Sequence, residues 1–133
     1  MILVDTHALV WWVSDPKRIP AKARRALDAA VKARESVAVS SISIWEIAML
    51  VARKRLEFTI DAESWITAVE ALPFFTFIPL DNRIAVRSVE LDGFPNRDPA
   101  DRIIVATALG LGATVVTADS RLRGYKALAT IWD

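Results

Sequence analysis

Four acids, Asp5, Glu46, Asp101 and Asp119, stand at equivalent places in an otherwise apolar pattern. Asp5 ends the run Met1-Ile2-Leu3-Val4, and Asp119 follows Ala113-Thr114-Val115-Val116-Thr117. Glu46 falls in the first turns of a helix expected after Ser36-Val37-Ala38-Val39-Ser40. Asp101 falls in the first turn of the helix expected before the 113–117 strand. Carboxylates ~4 Å apart repel by about 4 kcal/mol per pair at an effective dielectric near 20, so a gathering of three or four needs protons or a divalent cation. An all-oxygen donor set suits Mg²⁺ or Mn²⁺. Such an ion lowers the pKa of a bound water and holds a phosphoryl oxygen, which is what hydrolysis of a phosphodiester requires.

Each acid also has a local explanation. Ser43-x-x-Glu46 fits a capping box, which would make Glu46 a helix stabiliser. Asp98-Pro99 reads as an N-cap followed by proline at the first helical position, and Asp101 then suits the helix dipole. Thr117-Ala118-Asp119-Ser120 could be a turn ending in an N-cap. What points to a site is the conjunction, because an open α/β sheet brings all of these places to the carboxyl ends of its strands, where ligands bind.

The elements that must position the acids alternate between strand and helix. The first strand is apolar on both sides, as in a parallel sheet covered by helices on both faces. A short helix over 7–14 follows and is broken at Asp15-Pro16. A second runs from Ala21 to about Ala33, with Ala23, Leu27, Ala30 and Val31 at helical spacing. After the 36–40 strand comes a helix from Ile42 to about Arg53, and then one from Asp61 to about Leu72 with Trp65, Ile66, Val69 and Leu72 as its apolar face. Phe75 to Leu80 reads as a strand, Asp81 caps a helix to about Leu91, and 92–97 is a loop dense in turn formers. A helix over 102–109 opens at Asp98-Pro99-Ala100-Asp101 and stops at Gly110 or Gly112. A last strand over 128–131 closes the sheet. The expectation is an α/β fold, a three-layer α/β/α domain with a central parallel sheet and right-handed crossovers, spanning residues 1–133 as one unit.

Composition narrows the chemistry. There is no cysteine, which excludes disulfides, thiolate metal sites and cysteine nucleophiles. His7 is the only histidine, so a two-histidine ribonuclease is excluded; a lone histidine of this kind reads first as a packing or capping residue. Neither a Gly-x-Ser-x-Gly elbow nor a phosphate-cradling glycine loop occurs. Net charge is +1, unlike a strongly basic nucleic-acid binder, yet 12 of the 17 basic residues are arginine, whose fork suits phosphate. No run approaches the roughly 18 apolar residues of a membrane span, and the start does not read as a signal peptide. The expected compartment is the cytoplasm, with no membrane association. The hydrophobic share of 53% is high, which leads us to expect a partner on an apolar surface.

Val4-Asp5-Thr6-His7-Ala8-Leu9-Val10-Trp11, Ser43-Ile44-Trp45-Glu46-Ile47, Arg97-Asp98-Pro99-Ala100-Asp101-Arg102 and Thr117-Ala118-Asp119 together resemble the motifs of PIN-domain ribonucleases, in particular VapC-type toxins of toxin–antitoxin pairs. The resemblance spans nearly the whole chain. It implies Mg²⁺- or Mn²⁺-dependent endonucleolytic cleavage of RNA that leaves 5′-phosphate and 3′-hydroxyl ends. It implies that Asp5, Asp101 and Asp119 hold metal and that Glu46 binds a second ion or orients water. Asp98 is then accessory, with the hydroxyls of Thr6 and Thr117 near the site. It further implies a cognate antitoxin seated in an apolar groove, with a basic side chain able to enter the acidic site, and a homodimer. Asn96 departs from the pattern, since relatives with this loop often carry His there.

Trp11, Trp12, Trp45 and Trp65 are candidates for groove or dimer contacts. Trp45 is expected in the core. Trp11 and Trp12 are adjacent on a helix, so one of the two is expected at an interface. Arg53, Lys54, Arg55, Arg97, Arg102 and Arg121 could steer RNA phosphates. Two rivals stay open. Another metal-dependent phosphoryl-transfer domain is one, although a receiver's paired acids and a phosphatase's Asp-x-Asp are missing. A PIN scaffold that only binds a partner is the other.

Overall fold

A computed structural model describes residues 1–133. The element order is β1 (Ile2–Val4), α1 (Thr6–Ser14), a 3₁₀ turn (Pro16–Arg18), α2 (Ala21–Lys32), β2 (Val37–Ser40), α3 (Ser41–Ala52), α4 (Ala62–Glu70), β3 (Phe75–Ile78), α5 (Asn82–Val89), α6 (Pro99–Leu111), β4 (Thr114–Val116), α7 (Ser120–Arg123) and β5 (Thr130–Ile131). The five strands form one parallel sheet in the order β3-β2-β1-β4-β5.

Strand alternation divides the core between the two faces. Val4, Val37, Val39 and Val116 pack with Leu9, Leu27, Ile47, Trp65, Val69 and Phe75 on one side. Leu3, Ala38 and Val115 pack with Ile104, Val105, Ala108, Leu122 and Leu128 on the other. Successive residues of each strand therefore serve opposite faces, and because helices cover both, no strand needs a polar face. This is the expected three-layer α/β/α arrangement.

The chain leaves β1 in one direction for β2 and β3, then returns to the other side of β1 for β4 and β5. The sheet therefore reverses its winding between β1 and β4, where a crevice opens beyond the carboxyl ends. Asp5 and Asp119 flank that crevice.

Local chemistry sets the helix ends. Asp61, Asp81 and Asp98 accept the backbone N–H three residues on at 2.7, 2.8 and 3.0 Å. Gly112, at φ 64°, ends α6 in the left-handed conformation that glycine adopts without steric cost. Pro79 follows the last residue of β3 and stops the ladder two residues short of Leu80, where the apolar run ends.

Three expectations are corrected. Ser40, not Ser43, caps α3, its hydroxyl accepting from the Ile42 N–H at 3.3 Å. Ser43 is fully buried and receives the Thr6 hydroxyl at 2.9 Å, so no Ser43–Glu46 capping box forms. Trp45 is 57% exposed rather than in the core, because the helix turns its neighbours Ser43 and Ile47 inward instead. Trp65 belongs to the core rather than to a surface. It is buried, stacks on Phe58 at 4.5 Å and donates Nε1–H to Ser14 Oγ at 2.8 Å.

Candidate active site

Asp5, Glu46, Asp98, Asp101 and Asp119 line one cavity of about 400 Å³, together with Thr6, His7, Trp11, Ile104, Ala118 and Arg121. The five acids come from four places far apart in the chain, Asp98 and Asp101 sharing the start of one helix, and the topology collects them. Asp5 follows β1 and caps α1, and Asp119 lies beyond β4 and caps α7. Glu46 is on α3, which follows β2, while Asp98 caps α6 and Asp101 lies in its first turn.

Asp5 is only 8% exposed, and both of its oxygens are held. Oδ1 accepts the Ala8 N–H at 2.9 Å, and Oδ2 accepts the hydroxyl of Thr117. Thr117 Oγ1 in turn accepts the Asp119 N–H at 3.0 Å. One buried threonine thus fixes the acids beyond β1 and β4 relative to each other. Burial pushes the Asp5 carboxyl above its ordinary value, against the opposing pull of the Thr117 and Ala8 bonds.

Asp101 is held by the loop before it. Asn96 Nδ2 donates to Asp101 Oδ2 at 2.7 Å, and Asn96 Oδ1 accepts the Asp98 N–H at 3.0 Å. Burial pushes Asp101 up to about 6; Asn96 opposes the rise, and the charges of Asp98, Asp119 and Glu46 add to it. The loop itself is tied by Arg102, whose guanidinium donates to the carbonyls of Ser88 at 2.7 Å, Phe94 at 3.0 Å and Asn96 at 2.9 Å. Arg102 is therefore a structural clamp, which corrects its place among the arginines expected to meet RNA.

Asp119 faces Arg121. The Arg121 backbone N–H donates to Oδ1 at 2.8 Å, and its Nη2 reaches Oδ2 at 3.1 Å. Partial burial alone would raise the Asp119 carboxyl, but the bonds and charge of Arg121 outweigh it and hold it below the ordinary value. The same Nη2 lies 3.4 Å from Asp101 Oδ2.

The donor set is all oxygen, with cysteine absent and the single His7 exposed at the rim, and it fits a hard divalent ion by type. In this side-chain arrangement no three acids are gathered closely enough to grip an ion. The reason is visible in the bonds, since Asp5, Asp101 and Asp119 each turn toward a partner of their own. Of the accessory positions, Asp98 is exposed and serves its helix, Thr6 points its hydroxyl at Ser43, and Thr117 joins Asp5 to Asp119.

Asn96, Ser43 and Arg121 are the parts of the site not assigned to it from the sequence. The sequence marks Asn96 as a departure from the resemblance, Ser43 as a cap and the first residue of a motif, and Arg121 as an arginine for RNA phosphate, none of them as a partner of these side chains. Trp11 lines the cavity, between His7 and Trp132 at 5.8 Å each and under Arg18 at 4.4 Å. Trp12 instead packs on Phe74 and Phe75.

Comparison with known proteins finds relatives over nearly the whole chain. The PIN domain family model matches residues 2–128. Ribonuclease VapC22 of Mycobacterium tuberculosis is 33% identical over 98% of both chains. Among solved structures, VapBC2 from Rickettsia felis, bound to a DNA fragment from its promoter, superposes with a TM-score of 0.74 at 19% identity over the whole of both chains. FitAcB from Neisseria gonorrhoeae superposes with a TM-score of 0.65 at 25% identity, covering 98% of this chain and 96% of the other.

Proposed function

Because the chain belongs to the PIN-domain family, with a VapC ribonuclease among its relatives, we propose that it is a Mg²⁺- or Mn²⁺-dependent endoribonuclease and the toxin of a toxin–antitoxin pair. The observation that carries this reading is the convergence of Asp5, Glu46, Asp101 and Asp119 on one open cavity at the sheet's switch point.

In this reading Asp5, Asp101 and Asp119 hold the metal, and Glu46 orients the attacking water or supports a second ion. A bound divalent ion would supply a water of lowered pKa and a clamp on the phosphoryl oxygens. The reaction is hydrolysis. The water oxygen bonds to phosphorus in line, the bond from phosphorus to the 3′ oxygen breaks, and that oxygen takes up a proton from solvent water as it leaves. The water's proton passes to a carboxylate of the site, and this reading gives that part to half-buried Glu46, which lines the same cavity as Asp101. Thr117 and Asn96 keep Asp5 and Asp101 in position while charge builds. The cavity is open and lined mostly by polar and charged residues, as a site for a strand of RNA needs to be.

The partners in this reading are an RNA substrate, a cognate antitoxin and a second copy of the chain. Structural neighbours that are VapBC assemblies, and one that is a toxin–antitoxin complex from Klebsiella pneumoniae, support the antitoxin. No helix is long and apolar enough to cross a membrane.

The test is incubation of purified protein with labelled structured and total RNA, with Mg²⁺, with Mn²⁺ and with EDTA, beside Asp101→Asn. Cutting that needs metal and disappears in the variant is expected. Identical behaviour of wild type and variant on every RNA, with no metal-induced rise in melting temperature for either, would favour the partner-binding scaffold instead.

A further inference from the structure

The acid cavity contains one guanidinium, and it comes from this chain. Arg121 reaches Asp119 Oδ1 through Nε at 3.3 Å and Asp119 Oδ2 through Nη2 at 3.1 Å, and Nη2 also lies 3.4 Å from Asp101 Oδ2. A single side chain thus bridges acids at the starts of α6 and α7. Its placement is inherited from the turn, since the Arg121 backbone N–H is the group that Asp119 caps.

The side chain is held there by charge and not by packing. It is 57% exposed, and exposed ion pairs are individually weak. It also lines a second cavity, of about 600 Å³, with Asp92, Ser120, Tyr125 and Lys126. The two cavities meet at Arg121, so the arm has somewhere to go without disturbing the fold.

A guanidinium and a divalent cation compete for the same lone pairs. Arg121 engages both oxygens of Asp119, and Asp101 Oδ2 already takes a bond from Asn96. An ion drawn onto these oxygens would also meet a positive charge a few ångströms away. We propose that Arg121 is an internal counter-cation of the site, and that metal loading displaces its side chain from Asp101 and Asp119 into the adjoining cavity. The proposal rests on the reading of these acids as metal ligands. Arg121 then sets how tightly the site binds its ion and stabilises the acid cluster before the ion arrives. It also changes the place of Arg121 among the arginines expected to steer RNA.

The test uses wild type, Arg121→Ala, Arg121→Lys and Asp119→Asn, stripped with EDTA and titrated with Mn²⁺ alone. Binding is read by calorimetry or by the electron paramagnetic resonance of free Mn²⁺, and unfolding by melting temperature. Arg121→Ala is expected to bind Mn²⁺ about three- to tenfold more tightly than wild type, as removal of a weak exposed competitor predicts. Stripped Arg121→Ala should melt below stripped wild type and gain more on adding Mn²⁺, with Arg121→Lys between the two. Equal or weaker binding by Arg121→Ala, where wild type binds and Asp119→Asn does not, overturns the counter-cation role and leaves the metal reading intact. No binding by any of the four, or equal binding by Asp119→Asn, overturns the metal reading and the role together.

Discussion

Asn96 grips Asp101 from one side and the start of its helix from the other, its amide nitrogen on Asp101 Oδ2 at 2.7 Å and its amide oxygen on the Asp98 N–H at 3.0 Å. Asp101 is therefore aimed by a loop residue five positions earlier as well as by its own helix. Asn96 is itself nearly buried, so its bonds are screened little by water.

Asn96→Ala should cost about 1–3 kcal/mol of stability, the range for losing a partly buried bond to a carboxylate and leaving an N–H unpaired. It should also raise the Asp101 carboxyl further, because Asn96 opposes the rise that burial causes. Asn96→His, which keeps a ring N–H donor, should recover part of both. Urea unfolding with and without Mn²⁺ reads the first effect, and the carboxyl titration of Asp101 followed by NMR reads the second. An Asn96→Ala variant with wild-type stability and an unmoved Asp101 titration would remove Asn96 from the site.

The elements and the acids were legible in the sequence because they depend on local pattern. Strands such as Val37-Ala38-Val39 are apolar on both faces, and caps such as Asp81 and Asp98 announce the helices that follow. What was not legible depends on which turn of a helix comes first. Ser40 and Ser43 are both acceptable caps by type. The choice of Ser40 turns Ser43 inward, removes the local explanation for Glu46 and leaves Trp45 on the surface. Likewise no pattern in the chain marks Arg121 as bridging Asp101 and Asp119, since that contact joins residues 20 apart through the packing of α6 against the end of β4.

Thr117 should behave as a keystone for the two acids it joins. Thr117→Val keeps the shape of the side chain but removes the donor to buried Asp5 and the acceptor for the Asp119 N–H. The expected loss is about 2–4 kcal/mol, the sum of roughly one to two unsatisfied groups, and Thr117→Ser should restore most of it. Denaturant midpoints at neutral pH provide the measurement. A valine variant as stable as wild type would show that the hydroxyl contributes no net stability.

The raised carboxyls set a pH dependence whose sign follows from linkage. Asp5 and Asp101 hold their protons more readily in the folded chain than in the unfolded one, Asp101 titrating at about 6 against an ordinary 3.8. The folded state therefore binds more protons over that window, and stability falls as pH rises through it. Asp61 and Asp119 are shifted the other way, so their contribution is lost only as pH falls below the ordinary carboxylate range. In EDTA the urea midpoint should decline between about pH 4 and pH 6.5. Asp101→Asn should flatten that decline, and saturating Mn²⁺, which favours the ionised acids, should reverse it. A midpoint that climbs over the same range in EDTA would contradict the burial of these two carboxyls.

Trp45 and Trp65 should separate cleanly under substitution, because the same residue type plays opposite parts. Trp65 is buried, stacked on Phe58 and bonded to Ser14, and Trp65→Ala should cost about 3–5 kcal/mol, as large-to-small changes in a packed core do. Trp65→Phe, which keeps the stacking and loses the bond to Ser14, should cost about 1–2 kcal/mol. Trp45 lies on the open side of α3, and Trp45→Ser should change stability by no more than about 0.5 kcal/mol. Its indole should be quenched by iodide while that of Trp65 is protected. An exposed tryptophan next to Glu46 is also a natural anchor for a second chain. Sedimentation of wild type and Trp45→Ser, alone and with the antitoxin proposed above, would then show a loss of association without a loss of fold. Equal association in both proteins, or a fall in stability for Trp45→Ser comparable to Trp65→Ala, would remove Trp45 from any interface or from the surface, respectively.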